Sequence, residues 1–452
     1  MSTHPESWAT VQIGTVTQVT GGGTPPSSEP DCFAPPGTSI PWITPADLSG
    51  HKQQHISHGN RDLTQKGLNA CSAKLMPAGS VLFSSRAPIG YVAIAAKALA
   101  TNQGFKSFIL PTEIDSRFTY YQLRHLKPVA EAMATGTTFK EISGGSAAKL
   151  PFLVAPSKEQ TRIADKLDAV LSRVDDVNAR LDRVAPLLKR FRQSVLAAAT
   201  SGRLTEDWRE QDSAQWQSVQ LGELMDSKPR NGYSPKAVDH ETSVRSLTLS
   251  ATTSGKFLGQ HAKFIDEKIP ADSHLWLESG DILIQRANSL EYVGVSAIFD
   301  GAPRTFIYPD LMMKCRANSR TNTRFLHIIL SSEPVRKYFR DNATGTAGNM
   351  PKINQQTVIS APCDLPPLDE QTEIVRRVEI LFAFADRLEA RLKAARTAAQ
   401  RLTPAVLAKA FRGELVAQDP ADEPAAELLK RLAAQRPQAP VGARRSRSGA
   451  RS

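Results

Sequence analysis

A chain of 452 residues is too long for one hydrophobic core, and 40% hydrophobic with 22% charged residues is the make-up of ordinary globular domains rather than of a disordered, fibrous or membrane-embedded chain. No run approaches the roughly 18 uncharged apolar residues of a membrane span, "MSTHPESWATVQIG" has no signal-peptide pattern, and Cys32, Cys71, Cys315 and Cys363 are scattered without metal-type or disulfide-type spacing. A cytoplasmic protein without a metal or a membrane partner is expected. The net charge of +11 invites a polyanionic ligand, but seven cations and no acid lie from Lys430 onward, so the rest carries only +4 and charge alone does not decide.

The chain opens on "WATVQIGTVTQVTGGGTPPSS", two short β-type runs and then a Gly/Pro/Ser loop at residues 21 to 28. No helix follows closely enough for that loop to cradle a phosphate, so it reads as a flexible turn. Trp42, in "SIPWITPADLSG", reads as core rather than as a base-stacking platform. "PAGSVLFSSRAPIGYVAIA" predicts two strands and a turn, with Arg86 where the first strand ends. After "TNQGFKSFIL" come a helical segment from Ser116 to about Met133 and the loop "ATGTTFKEISGGS".

From Pro156 to Leu204 the periodicity changes. Ile163, Leu167, Val170, Val174, Val177, Leu181, Val184, Leu188, Phe191 and Val195 recur at gaps of four and three, the seam of a heptad coiled coil. A stretch of about 40 helical residues is a rod of about 60 Å. Pro186 lies inside it and predicts a kink or break.

The second half replays this order. "WQSVQLGEL" echoes "WATVQIGTV", "SGDILIQRANSLEYVGVSAIF" echoes the two-strand unit with Arg286 in the place of Arg86, and "FLHIILSSEPVRKYFRDNATGTAGNMPKI" echoes the helix and its "ATGT" loop. The middles of the two halves do not align. Adding 211 to the seam positions gives Ile374, Val378, Leu381, Ala385, Leu388, Leu392, Ala395, Ala399, Leu402 and Val406, with a second kink or break expected at Pro404. Surface residues share the offset: Pro156 and Pro367, Glu159 and Glu370, Thr161 and Thr372, Arg180 and Arg391, Arg190 and Arg401, Gly202 and Gly413. Shared surface residues at a single offset mean duplication.

The expected fold class is α+β, with two mixed α/β globular domains separated by two long helices that form an intramolecular antiparallel coiled coil with an internal pseudo-two-fold duplication. The expected boundaries are 1–155 for the first globular domain, 156–205 for the central helix, 206–366 for the second domain, 367–417 for the second helix and 418–452 for a basic tail. That tail holds one possible short helix, "PAAELLKRLAAQR", and an end that should be disordered. Antiparallel rods would make a rigid ruler with two different heads, and DNA has local two-fold axes of the same kind.

Catalytic motifs are missing: no P-loop, nucleophile elbow, metal-type histidine pair or methyltransferase tetrapeptide is present, and Asp266-Glu267-Lys268 reads as a chance likeness to a nuclease motif. No catalytic residue is assigned. Two readings of other classes stand beside a DNA reader. One is a coiled-coil scaffold whose globular ends bind proteins; the other is a self-contained modification enzyme, which the missing cofactor motifs oppose.

The whole pattern resembles the specificity subunits of type I restriction-modification systems. The resemblance covers about residues 8 to 430 and rests on the duplicated helix entry at 156 to 163 and 367 to 374, the exits "SGRL" and "RGEL", the segments "GDILIQRAN" and "GTAGNMPKI", and "QDPADEPAAELLKRL". It implies two target recognition domains, each reading half of a split double-stranded DNA site across a helical spacer. It also implies two methyltransferase subunits that use S-adenosylmethionine and restriction subunits that use ATP and Mg, with no cofactor in this chain.

Base readout needs planar donors and acceptors on loops, and phosphate grip needs cations or backbone amides. By position the DNA-binding candidates are Arg86, Lys140, Arg230, Asn231, Tyr233, Lys236, Arg286, Asn288 and Lys352, and the alternative for each is a solvated surface charge or turn residue. The spacer candidates are Ile163, Leu167, Val170, Val174, Val177, Leu181, Ile374, Val378, Leu381, Leu388 and Leu392.

Overall fold

The computed structural model describes residues 4–136, 140–209, 215–345 and 350–435. It divides into two compact units, Met1–Ala179 with Arg396–Ser452, and Arg180–Ala395. Each unit therefore combines a globular head with a part of both long helices, Ser157–Ala199 and Leu368–Phe411.

In the first unit the head has three sheets. Ala9–Gln12 pairs antiparallel with Pro151–Val154 and closes the head at its own ends. A five-stranded sheet runs in the order Gln18–Gly21, Lys106–Ile109, Val81–Phe83, Val92–Ala95, His55–Ile56. A four-stranded sheet runs Phe33–Ala34, Arg61–Leu63, Ile40–Ile43, Ala100–Thr101, its last pair parallel.

The second unit repeats this topology. Gln217–Gln220 pairs with Pro362–Leu365. One sheet runs Arg230–Asn231, Met312–Cys315, Ile282–Gln285, Ser296–Ile298, and the other runs Ala237–Val238, Ala262–Ile265, Val244–Leu247, Phe306–Ile307, again with a parallel last pair. The middles that do not align as sequence are thus the same fold. The first head differs by one additional edge strand, His55–Ile56.

Local chemistry sets the central strands. Val81–Phe83 and Ile282–Gln285 are buried along their whole length, as central strands of a covered sheet must be. Each is entered through a turn whose glycine, Gly79 (φ 84°) or Gly280 (φ 88°), has the left-handed backbone that side chains disfavour. The predicted helix from Ser116 is present as Ser116–His125 and Lys127–Ala132, capped at its start by Asp115, whose carboxylate accepts from the amides of Arg117 and Phe118. Asn322 plays the same part for Thr323–Ser331.

The repeated Glu-Gln pair at the helix entries has a specific task. Glu159 Oε2 accepts from Trp8 Nε1 at 3.0 Å, and Glu370 Oε2 accepts from Trp216 Nε1 at 3.0 Å. Gln160 Oε1 accepts from the amide of Asp115 at 3.0 Å, and Gln371 Oε1 from the amide of Asn322 at 2.8 Å. All four side chains are buried, so each entry is a satisfied polar clasp that seats a long helix on its head. Burial pushes the Glu159 carboxyl above its ordinary range, against the opposing pull of the Trp8 and Gln418 bonds.

The helices run antiparallel within each unit. In the first, Ile163, Leu167 and Leu171 share a core with Leu407, Ala410 and Phe411; in the second, Leu188 packs with Ala385 and Leu392, and Val195 with Ile374 and Val378. Of the spacer candidates, Ile163, Leu167, Val174, Ile374, Val378 and Leu392 are buried, and Val170, Leu181, Leu381 and Leu388 are half-buried. Val177 departs from the expected seam at 45% exposed. Leu402, 45% exposed, has also left the seam, which continues instead through Val406, Leu407 and Ala410.

Of the expected kink or break, the break is absent at both prolines: Ser157–Ala199 runs through Pro186 and Leu368–Phe411 through Pro404. A proline removes one backbone bond. Packing on either side holds the rest, through Val184 and Leu188 in one unit and Val406 and Leu407 in the other.

The short helix expected near the C-terminus is Ala425–Gln435, and its Leu428 and Leu432 are built into the core of the first unit. Two of the seven cations counted toward a tail are paired there, Lys430 with Glu427 at 2.7 Å and Arg431 with Glu423. The other five lie outside the described residues.

Candidate nucleic-acid interface

In each head four segments meet at one end of one sheet, the five-stranded sheet of the first head and the Ile282–Gln285 sheet of the second, joined by the same backbone bonds. In the first head Gly23 N donates to Thr101 O (3.0 Å), Ser85 N to Gly104 O (2.7 Å), Ile142 N to Ser85 O (3.0 Å), and Thr135 and Glu141 exchange bonds of 3.0 and 2.9 Å. In the second, Tyr233 N donates to Tyr308 O (2.9 Å), Arg286 N to Leu311 O (2.8 Å), Ile353 N to Arg286 O (2.9 Å), and Thr344 and Lys352 exchange bonds of 2.8 and 2.9 Å. The correspondence is residue for residue.

That correspondence corrects the sequence matching by one position. Arg286 is the counterpart of Ser85, not of Arg86, whose counterpart is Ala287: Arg86 bridges Glu141 as Ala287 bridges Lys352. By the same bonds Lys352 corresponds to Glu141, and Lys140 corresponds to Pro351. Matching arginine to arginine and lysine to lysine followed identity, whereas the register follows the glycine before each strand.

The two heads consequently differ in charge at this crossing. In the first, Glu141 takes Arg86 at 3.5 Å and Lys106 at 3.4 Å, so its cations lie on a carboxylate. In the second, an exposed lysine, Lys352, stands where Glu141 would be, and Arg286 Nη1 donates to the carbonyl of Asp310 at 3.4 Å. Lys140 is exposed beside Glu141.

The glycine loop of the first head is not a flexible turn. A side chain on Gly22 would place its Cβ 2.1 Å from the carbonyl oxygens of Thr101 and Asn102, and the carbonyl of Gly23 accepts from Trp42 Nε1 at 3.0 Å. Trp42 itself is core, 1% exposed. A Cβ on Gly232 would likewise meet the carbonyl oxygen of Tyr308 at 2.1 Å. The loops "GGGTPP" and "NGYSPK" are therefore one element with different side chains.

Along the second loop the candidates separate. Arg230, Tyr233 and Lys236 are exposed. The phenol of Tyr233 lies beside Glu267, which holds its pKa above the ordinary value. Asn231 turns its side-chain oxygen into the protein, and Asn288 is consumed in its own turn, its Nδ2 donating to Gln285 Oε1 at 2.7 Å and its Oδ1 accepting from Ser289 N at 2.7 Å. The backbone bonds thus bring Tyr233, Arg286 and Lys352 to one end of the second head, with Arg230 and Lys236 exposed along the same loop, and Arg86 and Lys140 to one end of the first.

Sequence reasoning missed the turn at the centre of each site. Phe105 N donates to Asn102 O at 3.3 Å and Met312 N to Pro309 O at 2.9 Å, and these turns carry Gln103 and Asp310, both exposed, at the same position. The available signals were the turn-forming sequences "NQG" and "PDL". Lys106 and Glu141, beside Arg86, were missed as well.

No helix among the described residues is long and apolar enough to cross a membrane. The family model described as "Type I restriction modification DNA specificity domain" matches residues 5–184 and again 214–395. The chain is 30% identical to the EcoKI specificity subunit of Escherichia coli K12 over 96% of each chain, and 31% identical to the StySPI specificity subunit of Salmonella potsdam over 96% of each. Among solved structures, the HsdS subunit of Thermoanaerobacter tengcongensis superposes with a TM-score of 0.56 at 18% identity, covering 91% of this chain and 98% of that one. A chain from a study of complex assembly and conformational transition of the type I restriction-modification system gives 0.69 at 18% identity over 91% and 99%. Two family domains, two heads of one topology and a loop cluster of equal construction on each agree, and this chain belongs to the type I restriction-modification DNA specificity family.

Proposed function

We propose that this chain is the specificity subunit of a type I restriction-modification complex. It is a non-catalytic DNA-binding protein in which each head reads one half of a split, asymmetric double-stranded site through its converging loops. Two methyltransferase subunits, with S-adenosylmethionine, and restriction subunits, with ATP and Mg, carry the chemistry at the site it selects, in the cytoplasm.

The observation that carries this reading is the repetition itself: one backbone frame presents Arg230, Tyr233, Arg286 and Lys352 in one head and Arg86, Gln103 and Lys140 in the other. A conserved frame with exchanged tips is what reading two different half-sites requires, since phosphate contacts position and side chains at base edges specify. The domain limits on this reading remain a recognition head at 1–155 and at 206–366, with the helices 156–205 and 367–417 as spacer and 418–452 as a basic end.

The test is protection of DNA by the chain assembled with its methyltransferase subunits. A discrete split site should be protected, and affinity should fall with salt at a logarithmic slope of about −0.9 per phosphate contact. Deleting residues 436–452, which leaves the Ala425–Gln435 helix and its core residues in place, should flatten the slope on non-specific DNA and leave discrimination between target and scrambled site intact. A protein-binding scaffold would protect no discrete site, and binding of labelled S-adenosylmethionine by the isolated chain would instead favour a self-contained modification enzyme.

A further inference from the structure

Gln103 and Asp310 occupy one position of the shared frame. Each is the second residue of a turn, Asn102–Phe105 or Pro309–Met312, and each turn receives the backbone of the strand end opposite it, from Ser85 or from Arg286. Each is also held by the loop beside it: Thr24 Oγ1 donates to Gln103 Oε1, and Ser234 Oγ donates to Asp310 Oδ1. Ser234 Oγ in turn accepts from the amide of Asp310 at 3.2 Å, and Asn102 Oδ1 accepts from Gly104 N at 2.9 Å, closing the first turn. The glycines Gly22 and Gly232 are what let the loops approach that closely.

From this geometry we infer that Gln103 and Asp310 are equivalent base-reading positions, and that they set one base pair in each half of the target. The inference rests on the DNA-reading function proposed above. A hydroxyl that grips one side-chain oxygen orients the group before DNA arrives, which lowers the entropy cost of binding. That oxygen keeps a second lone pair, and the group keeps its other polar atom.

Their chemistries differ in a way that names the bases. Gln103 offers an acceptor and a donor in one plane, the match for N6 and N7 of adenine in the major groove. Asp310 offers acceptors alone, the match for the N4 donor of cytosine. A carboxylate central to a polyanion-binding surface is repelled by phosphates. Its place beside Arg286 is understandable if it faces a base donor instead.

The experiment selects bound sequences from a randomised duplex library using the chain assembled with its methyltransferase subunits. The forms compared are wild type, Gln103→Ala, Asp310→Ala, Gln103→Asp and Asp310→Gln. Both residues are exposed, and the turns close through backbone and Asn102 bonds, so the heads should fold in every variant. Each alanine variant should lose about tenfold to a hundredfold of discrimination at a single base pair, in one half for Gln103 and in the other for Asp310. The exchanged variants should alter preference at those same positions. If wild type selects a split motif and the variants select it unchanged, or lose affinity uniformly at all positions, the assignment of these two residues is wrong while the DNA-reading function stands. If wild type selects no motif at all, the function itself fails and this inference with it.

Discussion

Glu370→Ala tests how the long helices are seated on the heads. The carboxylate is 1% exposed and accepts from Thr205 Oγ1 at 2.7 Å and Trp216 Nε1 at 3.0 Å, with Arg209 Nε at 3.1 Å. Removing it strands two donors that packing shields from water, at about 1 to 3 kcal/mol each, and deprives a half-buried guanidinium of its partner. A loss of about 3 to 5 kcal/mol is expected, confined to the second unit. Glu370→Gln keeps the shape and one acceptor and should cost about 1 to 2 kcal/mol. Native-state hydrogen exchange, resolved by peptide, gives the assay: protection should fall in Leu368–Phe382 and in residues 200–209 and 215–220, and remain at wild-type level in the first head. Glu159→Ala should do the converse, exposing the segment around Trp8. Equal loss of protection in both heads from either variant, or a change under about 0.5 kcal/mol, would refute the clasp as the local anchor.

Three further outcomes follow from the packing. Leu188→Asp puts an uncompensated charge among Ala385 and Leu392 and should cost several kcal/mol by denaturant titration, whereas Val177→Asp, at a 45% exposed position, should cost less than about 0.5 kcal/mol. Gly232→Val should disorder the loop at Tyr233, because its Cβ would meet the Tyr308 carbonyl at 2.1 Å, and should weaken recognition of one half-site only, read as selective loss of protection over that half. His125 and His327 have pKa values lowered by burial from 6.5, so the folded chain holds them neutral while the unfolded chain protonates them. Stability is then complete above about pH 6.5 and falls as pH drops toward the lowered values, by up to about 1.4 kcal/mol per pH unit for each histidine; His327→Gln should remove the share of the second unit.

The features legible in the sequence are those with local causes. Heptad gaps place both long helices, the Gly-entered apolar runs place the central strands, and the duplicated Glu-Gln entries mark equivalent points in the two halves, although their bonds to Trp8 and Trp216 span about 150 residues and no periodicity reports them. The common topology of the middles was not legible. Their strands are two to four residues long and are specified by partners far along the chain, so the sequences diverge while the pairing stays. The one-residue offset between Arg86 and Arg286 arose because identical residue types suggested a match that backbone bonds reject. Gln103 is marked only by the turn-forming "NQG", and its turn acquires meaning only when the glycine loop closes over it. Val177 fits the heptad but not the burial: at 45% exposed it lies outside the packed face, which spacing alone does not report.

The central claim is that two heads of one construction read their half-sites independently. It is tested most directly by replacing residues 217–365 with the matching segment of another family member and sequencing the methylated bases in a host carrying this chain with its methyltransferase subunits. One half of the modified motif should change, and the other half and the spacing should be those of the wild type. A change in both halves, or in the spacing, would contradict the account.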